Sequence, residues 1–174
     1  AKVALLNIGA EEMKGKEEIH EAAKLIKRAK LDIDFIGYIE PHEIPEGKAD
    51  VIVTDGFTGN IALKSIEGTA KLVVRLIKDG IKKSFIAKLG LPFMLGVGMN
   101  IKKTMDPRLY NGAMLVGLNG LTVKSHGGTD ALGYSVAVGN AVSLVRQNFV
   151  PTIKDELETV DLDALSEEIL YDSY

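Results

Sequence analysis

The stretch ADVIVTDGFTGNIALKSIEGTA (residues 49–70) decides the fold. Val51, Ile52 and Val53 make a short apolar run of the kind that forms a buried strand. The run ends in Thr54-Asp55-Gly56, and a helical pattern begins within a few residues. Ala62, Ile66, Ala70, Val73 and Ile77 fall on one face, which predicts a helix over 60–77. The same grammar recurs on both sides. Residues 3–6 read as a strand closed by Asn7-Ile8-Gly9, and 15–29 as an amphipathic helix carrying Ile19, Ala22, Ala23 and Ile26. Residues 34–39 are a second strand. PHEIPEGK (41–48) reads as a loop, because two prolines and a glycine deny it regular structure. Downstream, 114–116 and 121–124 are strand candidates. A helix over 130–149 then places Tyr134, Val138, Ala141, Val142, Val145 and Phe149 on one face. Strands alternating with helices predict an α/β fold with a mainly parallel sheet and helices packed on it.

At 174 residues the chain is long enough to bury a core. It has no Cys, which excludes disulfides, thiolate metal sites and a cysteine nucleophile. Its opening residues, AKVALLNIG, are neither a signal peptide nor an initiator Met, so a fragment or a processed chain is expected. The expected organisation is one α/β domain over 1–153, with 80–105 as a projecting helical arm and 154–174 as an acidic tail, helical or mobile. A net charge of -3 hides an asymmetry. The tail sets Lys154 against eight acids, whereas residues 71–108 carry nine Lys/Arg against Asp79 and Asp106. The basic block is either a landing surface for something acidic or a solvated face.

The arm breaks the alternation. Phe85, Ile86, Leu89, Leu91, Phe93, Met94, Leu95, Val97 and Met99 are interrupted by Gly90, Pro92, Gly96 and Gly98. The pattern reads as too short and broken to span a bilayer. Two short amphipathic helices joined by an apolar tip at 91–99 are expected, flanked by Lys82, Lys83, Lys88, Lys102 and Lys103. Phe93 and Leu95 would enter an anionic membrane surface under those lysines. An arm packed in a dimer interface is the other reading. The apolar residues of 60–77 and 81–105 exceed what one small domain hides, so a symmetric dimer is expected.

Three Gly-rich junctions fall at strand ends. They are Asn7-Ile8-Gly9 with Lys14 just beyond, Asp55-Gly56-Phe57-Thr58-Gly59-Asn60, and Ser125-His126-Gly127-Gly128-Thr129-Asp130. Ligands gather at the carboxyl ends of strands in an open parallel sheet. A helix starting there attracts anions, and glycine allows close approach and positive φ. Thr58 and Thr129 also fit simple helix N-caps. His126, between a strand end and two glycines, is placed to exchange a proton; its other reading is a hydrogen bond that holds the turn. Lys14 and Lys64 are candidates to neutralise phosphate, Lys64 being the one that fits a plainly exposed position. His126, Lys14 and Asn60 are expected to line one cleft.

The segments LLNIGAEEMKG, FIGYIEPHEIPEGKADVIVTDGFTGNIALKSIEG and DPRLYNGAMLVGLNGLTVKSHGGTDA resemble, in order and spacing, the C-terminal half of the PlsX family, the bacterial phosphate acyltransferases of phospholipid synthesis. The resemblance runs from about Val3 to Phe149, and the pairing of DGFTGN with KSHGGTD is its most specific part. It implies a three-layer α/β/α fold related to isopropylmalate dehydrogenase, and a homodimer. The implied reaction joins acyl-[acyl carrier protein] and inorganic phosphate to give acyl phosphate. Members are about twice this length. Lys14, His126 and Asn60 are then the catalytic candidates. Asn7, Gly9, Asp55, Gly56, Gly59, Ser125, Gly127, Gly128 and Asp130 are the substrate or phosphate-binding candidates. No cofactor, metal or nucleic-acid partner is expected, and the setting is cytoplasmic, at the membrane surface. Phosphate attack on a thioester needs a cradle for the nucleophile and donors for the oxyanion, and these residue types suit both. Without Cys the transfer is direct. Two other readings stand beside it. An NAD-dependent decarboxylating dehydrogenase would need a G-x-G-x-x-G after a strand, which the sequence lacks. The other is a carrier- or membrane-binding fragment without turnover.

Overall fold

β1 (Lys2–Leu6) lies at the centre of a three-stranded parallel sheet, with β2 (Asp34–Ile39) on one side and β3 (Val51–Val53) on the other. The computed structural model describes residues 1–11, 13–29 and 31–160, so the acidic tail beyond 160 lies outside the described residues. The described chain divides into two compact units, 1–80 and 81–160, and each is taken by itself.

In the first unit Ala4, Leu6 and Ile39 form the buried cluster, and Ile44, Ala49, Ile52 and Ala62 pack against it. Alternate residues of β1 point to opposite faces, so Leu5 is buried on the other side. The β1–β2 register slips between Val3 and Ala4, which pair with Phe35 and Gly37. Gly37 takes φ 88° at that bulge, a conformation that suits glycine. α1 (Glu17–Arg28) has Glu17 and Glu18 in its first turn and Lys27 and Arg28 in its last, matching the helix dipole. The PHEIPEGK stretch is not the irregular loop expected. Pro41–Glu46 forms a 3₁₀ helix, because Pro41 is pre-set for a first turn and the Glu40 and Glu43 side chains cap it reciprocally.

α2 (Gly56–Lys83) is longer than the expected 60–77 at both ends. Among the described residues its first turns meet the core of the sheet, through Ala62. Ile66, Val73 and Ile77, expected to face a core, stay exposed among the described residues. A break at Ser84 follows, whose hydroxyl accepts the Ala87 N–H and caps α3 (Phe85–Thr104). α3 corrects the expected pair of short helices. It runs unbroken through Gly90, Pro92, Gly96 and Gly98, carried by the Leu, Met and Lys between them. The expectation that this segment is too short and broken for a bilayer also fails. By length and composition alone, Phe85–Tyr110 is long and apolar enough to cross one. Its apolar side chains are exposed, Phe93 at 90%.

The second unit adds a 3₁₀ turn (Pro107–Tyr110), β4 (Ala113–Leu115), β5 (Thr122–Lys124), α4 (Ala131–Arg146) and α5 (Phe149–Glu158). β4 and β5 do not extend the parallel sheet. They pair antiparallel, Ala113 with Lys124 and Leu115 with Thr122. The connection between them, residues 116–121, is far too short for a parallel crossover. The single helix expected over 130–149 is divided at Asn148, whose φ of 54° is left-handed. α4 also turns a different face inward. Gly133 and Ala137 are buried and Val136, Ala141 and Leu144 half-buried, while Tyr134, Val138, Val142 and Val145 are exposed. The small face wins because the chain around 108–112 must approach the helix closely. At Gly112, with φ 108°, a Cβ would come within 3.0 Å of Ala137 Cα.

Two glycines separate backbone strain from crowding. Gly37 has a positive φ and open space around its missing Cβ; Gly112 has a positive φ and a close neighbour. Gly37→Ala is expected to cost about 1 kcal/mol and Gly112→Ala about 2–3 kcal/mol, read as shifts of the urea midpoint. Equal losses would show that the Gly112–Ala137 contact does not constrain the packing.

Candidate functional site

In the first unit the loop after β1 is built on a buried side chain. Asn7 is 3% exposed. Its backbone N–H donates to the Ile39 carbonyl at 2.9 Å. Its Nδ2 donates to the Lys14 carbonyl at 2.7 Å, and its Oδ1 accepts the Ile8 N–H at 2.9 Å. Gly15 completes the loop at φ 102°, where a Cβ would run into Asn7 Oδ1. The Asn7 amide is therefore committed to closing the loop that carries Lys14. The Lys14 chain folds back over Gly9, where a Cβ would strike it, and Nζ pairs with Glu11 at 2.9 Å. That hydrogen bond and charge raise the Lys14 pKa and lower that of Glu11, so the ammonium is held charged. The pair is solvent-exposed and exchangeable, and an arriving anion can compete with Glu11 for Lys14.

The loop after β3 starts α2. Asp55 Oδ1 accepts the N–H groups of Phe57 at 2.9 Å and Thr58 at 2.8 Å. Asp55 is thus the N-cap, rather than Thr58. The Thr58 hydroxyl, these N–H groups and the Lys16 charge hold its carboxyl below the usual range. Gly59 is required by Thr54, whose methyl lies 2.7 Å from where a Cβ would stand. Gly56 has neither a positive φ nor a neighbour within 4 Å. Asn60 and Lys64 are exposed on the first turns of α2. Between α1 and the ends of β1 and β3 opens a cavity of 320 Å³, walled by Leu5, Ile19, Ala22 and Val53, with Lys16, Thr54 and Asp55 also lining it.

In the second unit the loop after β5 hangs on Asn111, 6% exposed. Its Oδ1 accepts the His126 N–H at 2.9 Å. Its Nδ2 donates to Ser125 Oγ and the Gly133 carbonyl, both at 2.8 Å, and reaches Thr129 Oγ1 at 3.4 Å. Asn140 donates to the Asn111 carbonyl at 2.7 Å. His126 is exposed, and its Nδ1 accepts the Gly128 N–H at 3.1 Å. A ring nitrogen that accepts carries no proton, so the neutral ring bears its hydrogen on Nε2 and presents a donor there. Gly127, like Gly56, has an ordinary φ and open space.

Asp130 caps α4 by accepting the Gly133 N–H at 3.1 Å, so here too the Asp rather than the Thr is the cap. It also pairs with Arg108 NH1 at 2.9 Å. Arg108 holds Asp106 in a fork, with Nε 2.8 Å from Oδ1 and NH2 2.6 Å from Oδ2. Asp55 and Asp130 were expected among the substrate-binding residues; the structure gives each a capping role, and their carboxylates occupy helix N-terminal donors that an anion would otherwise take. Asn111 and Lys16 were not singled out by sequence reasoning, and Arg108 figured there only as the last member of the basic block over 71–108. The signal available for Asn111 was an amide residue flanked by Gly in DPRLYNGA, a pattern that any turn shares. Among the described residues no group of His, Asp and Glu is arranged to hold a metal ion.

The family model described as fatty acid synthesis protein matches residues 1–152. Proteins named phosphate acyltransferase are similar over nearly the whole chain. The one from Paramagnetospirillum magneticum is 48% identical over 90% of this chain and 44% of its own length. That from Rhodospirillum centenum is 50% identical over 89% and 44%, and that from Rhodospirillum rubrum 46% identical over 92% and 46%. The chain thus spans less than half the length of these relatives.

The Arg108 fork makes a pH prediction. Hydrogen bonds from the Arg108 side chain and N–H hold the Asp106 pKa down at about 2. A depressed acid stabilises the fold above its unfolded pKa of about 3.9, and loses that contribution as pH falls through its folded value. The Tm gap between the parent and Asp106→Asn is therefore expected to be full above about pH 4 and to close towards about pH 2. A gap that persists undiminished at low pH would show that the carboxylate charge contributes nothing.

Proposed function

The chain belongs to the fatty acid synthesis protein family that holds the phosphate acyltransferases, and we propose that it forms the catalytic C-terminal part of such an enzyme. The reaction is transfer of an acyl group from acyl-[acyl carrier protein] to inorganic phosphate, in phospholipid synthesis. A phosphate oxygen attacks the thioester carbonyl carbon, the carbon–sulfur bond breaks, and the carrier thiolate leaves and takes a proton from solvent. The observation that most supports this reading is the 42–50% identity to proteins of that name across about 90% of the chain.

The loops support it chemically. Gly56 and Gly127 have no local structural reason to be glycine, since neither backbone conformation nor packing demands it. Close approach of a ligand to the backbone does. Lys14 exchanges Glu11 for phosphate as a point charge. Asn60 binds phosphate from α2, and His126 Nε2–H donates to the carbonyl oxygen as charge develops there. The apolar wall formed by Leu5, Ile19 and Val53 suits an aliphatic chain. The parallel order β2-β1-β3 supports the three-layer, isopropylmalate dehydrogenase-like arrangement.

What lies uncovered supports a reading of assembly and location. α2 shows one exposed apolar stripe, Ile66, Val73 and Ile77, which fits helix packing against a second copy in a homodimer. α3 fits an anionic membrane surface on the cytoplasmic side. At 100° per residue, Lys88, Lys102 and Lys103 share one side of the helix, and Ile86, Phe93, Val97 and Ile101 lie opposite. Leu95, expected beside Phe93 at a tip, falls on the lysine side of the continuous helix. Each lysine adds roughly 1 kcal/mol near anionic lipid, screened by salt, and partial burial of the opposite residues adds a comparable term. The sum is reversible binding.

The reading is tested by trapping acyl phosphate with hydroxylamine. Lys14→Gln, Asn60→Ala and His126→Ala are each expected to lower turnover per folded molecule by roughly a hundred-fold. Turnover unchanged in all three would remove these residues from the reaction, and no acyl phosphate from the parent in its full-length protein would remove the reaction itself. For the surfaces, Phe93→Asp with Val97→Asp is expected to abolish cosedimentation with anionic liposomes and spare the soluble assay. Val73→Asp is expected to give a monomer by light scattering. Liposome binding that survives both Asp changes, or resists alkaline carbonate, would exclude a surface-lying α3, and a dimer retained by Val73→Asp would move the interface elsewhere.

A further inference from the structure

We propose that Asn111 is a positioning residue for His126, so that one buried amide sets both where the loop 125–130 runs and which way its imidazole donates. This rests on the acyltransferase reading of His126. The argument begins with the residue type. Oδ1 accepts the His126 N–H at 2.9 Å, while Nδ2 donates to Ser125 Oγ and to the Gly133 carbonyl at 2.8 Å each. Only an amide supplies an acceptor and two donors from one rigid plane. An aspartate loses the donors, and a glutamine carries the plane one carbon too far. At 6% exposure the group has almost no water to fall back on, so each bond it loses is a real cost.

The three partners are not scattered. Ser125 and His126 are consecutive at the end of β5, and Gly133 is in the first turn of α4. Asn111 thus ties the start of the loop to the start of the helix that ends it, and fixes their separation. Within that span the chain closes on itself, as the Thr129 N–H donates to the His126 carbonyl at 3.1 Å. The Gly128 N–H then meets His126 Nδ1. The ring is oriented by that last bond, and the bond exists only while 126 and 128 keep the backbone course set by Asn111.

Asn111 is itself held from two sides. Its carbonyl accepts from Asn140 on α4. The preceding turn is fixed by Arg108, which bridges Asp106 and Asp130. Gly112 lets the chain pass against Ala137. Replacing Asn111 therefore leaves a scaffold in place and loosens only what the amide holds.

The experiment uses this chain within its full-length protein, with Asn111→Ala and Asn111→Asp, in two arms. Amide hydrogen exchange without substrate is expected to speed up roughly ten-fold or more at 125–129 in Asn111→Ala, with β1 and β2 unchanged. Acyl phosphate formation, measured well below each variant's Tm and per folded molecule, is expected to lose roughly ten-fold or more in kcat, with KM for the acyl donor nearly unchanged. Asn111→Asp keeps the acceptor for the His126 N–H and is expected to recover part of both losses. Unchanged exchange at 125–129 overturns the tie. Faster exchange with unchanged kcat leaves Asn111 a structural residue and overturns the positioning role. A parent that makes no acyl phosphate overturns the acyltransferase reading and the role together, and the exchange arm then still decides whether the amide holds the loop.

Discussion

Two buried amides hold two of the three Gly-rich loops of this chain. Asn7 and Asn111 are the buried polar side chains among the described residues, and each stands at the root of a Gly-rich loop. Buried polar groups must be satisfied, and an amide asks for both donors and acceptors at fixed angles. That demand is what gives an otherwise irregular loop one course. Around Asn7 the demand excludes any side chain at Gly15; around Asn111 it selects glycine and alanine on the facing side of α4. The exposed candidates, Lys14 and His126, are held by groups a reader of the surface would not see.

The charges are arranged on the same principle, with the carboxylates turned inward to the backbone. Asp55 and Asp130 spend their lone pairs on helix N-terminal N–H groups, and Arg108 neutralises Asp130 and Asp106. Capping and pairing leave little unbalanced negative charge in these loops, whereas an unpaired carboxylate would repel any anion nearby. Glu11 differs. Among the described residues it pairs with the exposed Lys14 across a solvated contact, which an anion can compete for.

Much of the first unit was legible because its signals are local. Periodicity and Gly placement located β1, α1, β2 and β3 closely, since a short apolar run between turn residues has few other uses. The failures share a cause, which is that breakers and faces are judged by neighbours the sequence does not display. Pro41 started a 3₁₀ helix because Glu40 and Glu43 cap it. Pro92 and three glycines did not stop α3. α4 buried its small face because the chain at Gly112 needed room, and the larger apolar face that periodicity favoured lies exposed. β4 and β5 looked like further members of a parallel sheet until the length between them is counted against a crossover. In the loops the sequence displayed the Gly-rich turns and not the hydrogen bonds inside them. The Asp residues cap, the Thr residues do not, and Asn111 was invisible because a lone Asn before Gly is what any turn contains.

The distribution of apolar surface carries the last step. Six hydrophobic residues of the described chain are buried, whereas α2 and α3 expose theirs along most of their length. Contiguous apolar patches of this extent are what interfaces are made of. The two helices differ in kind. α2 is polar on one side and apolar on the other, as a helix that packs against another protein surface is. α3 has no charged residue between Lys88 and Lys102, so through 89–99 its apolar residues are exposed on every side, and only its ends carry a lysine face. Immediately after α3 the chain enters the turn at Pro107–Tyr110, with the Tyr110 hydroxyl bonded back to the Thr104 carbonyl, and then reaches Asn111. The exposed apolar helix is thus seven residues from the amide that holds the His126 loop, so a displacement of α3 along its axis would reach that loop through one short, hydrogen-bonded segment.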